Sequence, residues 1–182
     1  VGKDALDANT TGAFSVAVGN RALGANTTAG GNVAVGADAL LLNTTGADNT
    51  AIGLSNLDAN TTGERNTSLG AYALTANTTG ADNTAVGKGA GGAITTGASN
   101  VLIGSLAGDA LTTASENTVV GHFAMSNNVL GAKNVAIGTS TLSATNPSSA
   151  ADMLNVAVGF HAGNAVTTGT GNTLLGSNAG DS

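Results

Sequence analysis

Short apolar triplets bounded by asparagine and glycine recur along the chain. Examples are Asn32-Val33-Ala34-Val35-Gly36, Asn49-Thr50-Ala51-Ile52-Gly53, Asn83-Thr84-Ala85-Val86-Gly87, Asn134-Val135-Ala136-Ile137-Gly138 and Asn155-Val156-Ala157-Val158-Gly159. Three β-tolerant residues between two turn formers predict a short strand. Every apolar run is cut by glycine before it is long enough for a helix. From Gly2 through Gly19 and Gly36 to Gly138 the closing glycines stand 17 residues apart; one step of 21 leads to Gly159, and Gly176 restores the period. A fixed short period means a stack of near-identical supersecondary units.

Between the triplets lie two further recurrent segments. Ala22-Leu23, Ala39-Leu40, Ala73-Leu74 and Ala124-Met125 predict a second short strand, and Asn-Thr-Thr-Gly at 9–12, 43–46, 60–63 and 77–80 predicts a turn. One repeat then makes one coil of an all-β, parallel β-solenoid of about eleven coils. Successive strand side chains point to opposite faces. The bulkier series Val18, Val35, Ile52, Leu69, Val86 and Ile103 is expected to fill the narrow interior. The opposite face would carry Ala17, Ala34, Ala51, Ala85, Leu102, Val119, Ala136, Ala157 and Leu174. A strand with water on one side should read polar there, so this second face is expected to pack against other copies. A homotrimer is expected, because small residues let three strands approach one axis, with a dimer the alternative.

Stacked coils place Asn32, Asn49, Asn66, Asn83, Asn100, Asn117 and Asn134 in a column about 4.8 Å per step, in which side-chain amides can bond one another. The paired threonines would form a parallel hydroxyl ribbon. The composition agrees with a narrow tube: 28 glycines among 182 residues, 9% charged and 2% aromatic, too few large side chains for a wide core. Residues 1–182 therefore read as one elongated domain, expected to be a segment of a longer fibre because the sequence opens and stops within a repeat. Without cysteine there is no disulfide framework. A net charge of -6 argues against nucleic acid and anionic membranes as partners, and no apolar run approaches a membrane span.

The Asn-x-x-x-Gly strands at Asn32–Gly36, Asn49–Gly53, Asn83–Gly87, Asn134–Gly138 and Asn155–Gly159, each followed by an alanine-containing segment, resemble the head repeats of trimeric autotransporter adhesins (YadA-like heads). Similar repeats occur in phage tail fibres and other surface fibres. The resemblance covers nearly the whole chain and implies a left-handed parallel β-roll, three chains about one axis, and attachment to a surface. The repeat is longer than the family's usual one through its Asn-Thr-Thr-Gly turn, and the family's coiled-coil stalk and membrane anchor are absent from this stretch.

Catalytic chemistry finds little here. His122 and His161 follow the glycines of their coils beside Phe123 and Phe160, two coils apart. Asp48, Glu64 and Asp82 form a weak acidic stripe that reads as turn residues bonding their own backbone, and the calcium-solenoid nonapeptide is missing. No enzyme activity, metal or other cofactor is expected. The four added residues fall within 143–154 together with the only proline; insertions in solenoids loop out from one face, often the binding face. This makes Asn146, Pro147, Ser148 and Ser149 the candidate receptor loop. The expected function is a structural and adhesive fibre segment on a cell or virion surface, meeting a glycan or protein receptor. The alternative is a solenoid that binds glycan or ice along its Asn/Thr face.

Overall fold

The computed structural model describes residues 1–181 as an all-β parallel solenoid of about nine turns, with no helix among them. Ten three-residue strands form one sheet: β1 (Val16–Val18), β2 (Val33–Val35), β3 (Thr50–Ile52), β4 (Thr67–Leu69), β5 (Thr84–Val86), β6 (Val101–Ile103), β7 (Thr118–Val120), β9 (Val135–Ile137), β11 (Val156–Val158) and β12 (Thr173–Leu175). Every pairing is parallel and in register, so that Ala34 lies beside Ala17 on one side and Ala51 on the other. Two shorter strands, β8 (Gly131–Ala132) and β10 (Ala151–Asp152), pair beside the longer coil. Nine steps of about 4.8 Å make the sheet a rod face about 43 Å long.

The strand-closing glycines stand in a column because nothing larger fits. A Cβ on Gly36 would lie 2.2 Å from the Gly53 carbonyl oxygen of the next coil, and φ there is 141°. The Ala-Leu segment, expected as a second strand, is instead a run of turns. Leu23, Leu40, Leu57 and Leu74 hold φ near 50° (53°, 52°, 54° and 49°), a left-handed conformation that costs an L-residue roughly 1–2 kcal/mol. Each leucine is fully buried, and the contacts made by the turned-in side chain offset that cost. The coil is thus closed by left-handed corners, with only one strand per turn.

This closure reverses the expected alternation. Ala34, Ala51, Ala85, Leu102, Val119, Ala136 and Ala157 are fully buried inside their own coil, Ala17 nearly so, and Leu174 partly. They cannot form a face against other chains. The Val18, Ile52, Leu69, Ile103 and Ile137 series points outward, with Leu69 46% exposed. The physical reason is volume. Leucines from the opposite side already occupy the thin interior, so the strand facing them has room only for alanine.

Three coils show the same constraint by exchange. Where glycine replaces the inward leucine, at Gly91, Gly108 and Gly163, the Asn-Thr-Thr asparagine becomes Ile94, Leu111 and Val166. The following strand then carries Leu102, Val119 and Leu174 in the alanine column. A Cβ on Gly91 would meet Leu102 Cδ1 at 2.6 Å. Volume removed at one slot is refilled from two others, keeping interior density constant.

Two buried asparagine columns hold the coils together. Along the strand column, Asn49, Asn66 and Asn83 each donate a backbone N–H to the Oδ1 of the preceding asparagine (2.9, 2.9 and 3.0 Å). Along the turn column, Asn43, Asn60 and Asn77 donate through Nδ2 to the preceding Oδ1 (3.2, 2.7 and 2.9 Å). The columns meet on shared carbonyls: Gly63 accepts from Asn60 Nδ2 at 3.0 Å and from Asn49 Nδ2 at 2.8 Å. The turn column stops at Asn77, whose Oδ1 has no partner because Ile94 follows.

Two stability measurements check this account. Asn66→Ala leaves the buried Asn83 N–H without its acceptor and should cost about 3 kcal/mol in urea unfolding. Gly91→Leu should cost about 1–3 kcal/mol through overpacking, and Leu102→Ala in the same chain should restore most of it, although Leu102→Ala alone is destabilising.

Candidate functional site

The rod presents several outward regions, set by the coil's corners. The outer face of the sheet carries two columns. One is Val16, Val33, Thr50, Thr67, Thr84, Val101, Thr118, Val135, Val156 and Thr173; the other is the bulkier series ending Ile137, Val158 and Leu175. No charged residue interrupts either column. Outward neighbours on one strand are about 7 Å apart. The strip is therefore roughly 300 Å², within the range of the largest apolar patch on a typical monomer, which is often functional.

The Asn-Thr-Thr-Gly corner offers less than its sequence suggests. Its asparagines are buried, and the first threonine of each pair donates its hydroxyl to the next coil's backbone. Thr27 bonds the Thr44 carbonyl at 3.2 Å, Thr61 that of Thr78 at 3.0 Å, and Thr78 that of Thr95 at 3.1 Å. The second threonines, such as Thr28, Thr45, Thr62 and Thr79, stand exposed, whereas first threonines along the middle of the rod are partly buried. The hydroxyl ribbon is real, but half of it serves the fold.

The insertion rejoins the stack at its C-terminal end. Asn146, Ser148 and Ser149 are exposed, whereas Pro147 is buried. β10 then pairs with β8, and Asp152 meets Lys133 Nζ at 2.6 Å. Between the insertion and the preceding coils lies a depression of about 420 Å³ lined by Thr113, Glu116, Leu130, Lys133 and Asp152. Sequence reasoning singled out the loop tip but missed Glu116, Lys133 and Asp152. Glu116 and Lys133 occupy equivalent positions just before successive strands, whereas Asp152 lies beside Ala132 and is brought to Lys133 by the added residues.

Charges pair across coils rather than clustering for chemistry. Arg21 bonds Asp38 at 2.8 Å, and Arg65 holds Asp82 through two contacts (2.7 and 3.0 Å) while also reaching Glu64. The bond from Arg65 holds the Asp82 carboxyl below its ordinary range, and the bond to Asp152 raises Lys133. Such exposed pairs contribute little stability each. The expected stripe of Asp48, Glu64 and Asp82 is therefore partly neutralised by Arg65. Among the described residues no three His, Asp or Glu side chains converge as metal ligands, and no helix is long and apolar enough to cross a membrane.

Asp109 stands apart. Burial pushes its carboxyl pKa up, and its Oδ1 has no hydrogen-bond partner. A raised folded pKa means the ionised form opposes folding. The penalty is absent below the unfolded carboxylate pKa, grows as pH rises toward the folded value, and is complete above it. Asp109→Asn, which copies Asn164 at the equivalent position, should therefore raise Tm at neutral pH and leave it nearly unchanged in acid, as thermal melts across pH would show. Comparison with known proteins returns no relative: no family model, no curated protein and no solved structure matches the chain.

Proposed function

We propose that this chain is a segment of a structural and adhesive fibre, a head or shaft projecting from a cell or virion surface. Three copies associate about a common axis through the outer faces of their sheets. The observation that carries this reading is the uncharged Val/Ile/Leu/Thr strip running the length of the sheet, with Ile52, Leu69, Ile103 and Ile137 exposed in the single chain. Parallel, in-register stacking repeats the same outward pair at every step, so one mode of contact extends along the whole rod. Three such strips meeting at an axis would remove them from water at roughly 25 cal/mol per Å². The interface is thus assigned to the outward column, the alanine column being interior to each coil. A fibre also needs resistance to unravelling, and here every interior strand is paired on both sides.

The alternative, a solenoid binding glycan or ice along the Asn/Thr corner, rests on a narrower base. The asparagines are inaccessible and half the threonine hydroxyls are engaged by the backbone. No catalytic role is proposed.

Sedimentation with chemical crosslinking tests the assembly. The wild-type chain should run as a trimer at micromolar concentration, and Ile52→Arg with Ile103→Arg should raise the dissociation constant at least about a hundredfold. Thr45→Arg, on the opposite corner, should leave assembly unchanged. A wild-type monomer, or a trimer indifferent to the two arginines, would refute the reading.

A further inference from the structure

The corner that follows each strand-closing glycine changes character along the rod. In the first coils it carries Asp4, Arg21 and Asp38; from Ala71 onward its two outward positions contain no acidic residue. They hold instead Tyr72, Phe123 and Phe160, three of the four Phe and Tyr residues in the chain, with both histidines and Lys88. On a chain of net charge -6 this is an aromatic strip whose one formal charge, Lys88, is positive. Tyr72 and Phe160 are 44% and 53% exposed, and among the described residues Lys88 makes no ion pair.

Stacking makes the strip periodic. Ser140 N–H donates to the His122 carbonyl and His161 N–H to the Thr139 carbonyl, both at 3.0 Å, so three successive coils place His122-Phe123, Thr139-Ser140 and Phe160-His161 in line. Each aromatic-histidine pair is in ring contact, with centroids 4.2 Å apart for His122 and Phe123 and 4.0 Å for Phe160 and His161. Two ring platforms thus stand about 10 Å apart along the axis, with two small hydroxyl side chains between them. The 21-residue step leaves this corner undisturbed because its added residues leave the coil on another side.

We infer that this corner binds an extended acidic glycan lying parallel to the rod. The electron-rich ring faces attract the C–H faces of pyranose rings, and platforms two coils apart suit alternate sugars of an extended chain. The hydroxyls of Thr139 and Ser140 and the imidazole nitrogens supply hydrogen bonds to sugar hydroxyls, while Lys88 attracts a uronic carboxylate. A periodic ligand matches a periodic surface, and the missing carboxylates on this corner remove repulsion that the acidic rod would otherwise impose. The inference rests on the attachment role proposed above but needs no particular number of chains.

Isothermal titration with a hyaluronan fragment, an oligogalacturonate and neutral cellohexaose of similar length tests it on the assembled wild-type rod. At least one acidic probe should bind with Kd below about 1 mM, more tightly than cellohexaose. Phe123→Ala and Phe160→Ala should each weaken it at least about tenfold, and Lys88→Gln should weaken the acidic probe only. Phe14→Ala, on another corner, should change nothing. Binding of none of the three, or binding indifferent to Phe123 and Phe160, would overturn the site. Sedimentation of the same proteins keeps the two readings apart, since a trimer that binds no sugar removes the glycan site and leaves the fibre standing.

Discussion

A coil of 17 residues is too thin to hide its own polar backbone, and the buried asparagine amides are what make stacking possible. Along most of the rod the Asn Oδ1 receives the backbone N–H at the start of the next strand, while Nδ2 reaches the carbonyl that closes the neighbouring turn; at Asn117 and Asn134 it reaches Ser115 and Ala132 instead. The shared glycine carbonyls take two donors, one from each column, so both lone pairs are occupied. Asparagine is suited to this because its amide donates and accepts along the same axis that the coils repeat. Aspartate would lack the donor, and leucine would leave backbone groups orphaned in an interior with no water.

Once the amides set the stacking, the interior has a fixed cross-section, and the remaining side chains sort by size. Left-handed leucines fill one side and alanine or the similarly small Ser68 the other, except where Gly91, Gly108 and Gly163 allow the exchange. The bulky β-branched residues are displaced outward onto a flat sheet face. The core of the coil and the character of its outer face are therefore linked: the volume limit that puts alanine inside puts valine and isoleucine outside. The same rod carries its polar chemistry at its corners, where ion pairs bridge successive coils in some places and aromatic rings are exposed to solvent in others.

Much of this was legible in the sequence. The period of Gly19, Gly36 and Gly53, the strand limits, the parallel register and the strand asparagine column all follow from spacing and turn chemistry. The direction of the strand side chains did not. Alternation says that Ala34 and Val35 face opposite ways, but both faces are apolar, so it leaves open which is inside. The information was nevertheless present in the joint change at Gly91, Ile94 and Leu102, which only makes sense if those three share one interior. The left-handed Leu23 and Leu40 were invisible to propensity, since leucine rarely adopts that conformation and does so here only because burial offsets the strain.

The amino-acid order alone determined that the chain winds into coils of one length, save a single longer one, because a 17-residue repeat of strand and turn formers satisfies its backbone by stacking at every step. Three-dimensional packing decided which column is core and which is surface, and which threonines remain free. Those outcomes depend on how much volume a closed coil leaves inside it, a quantity that exists only once the coil has closed.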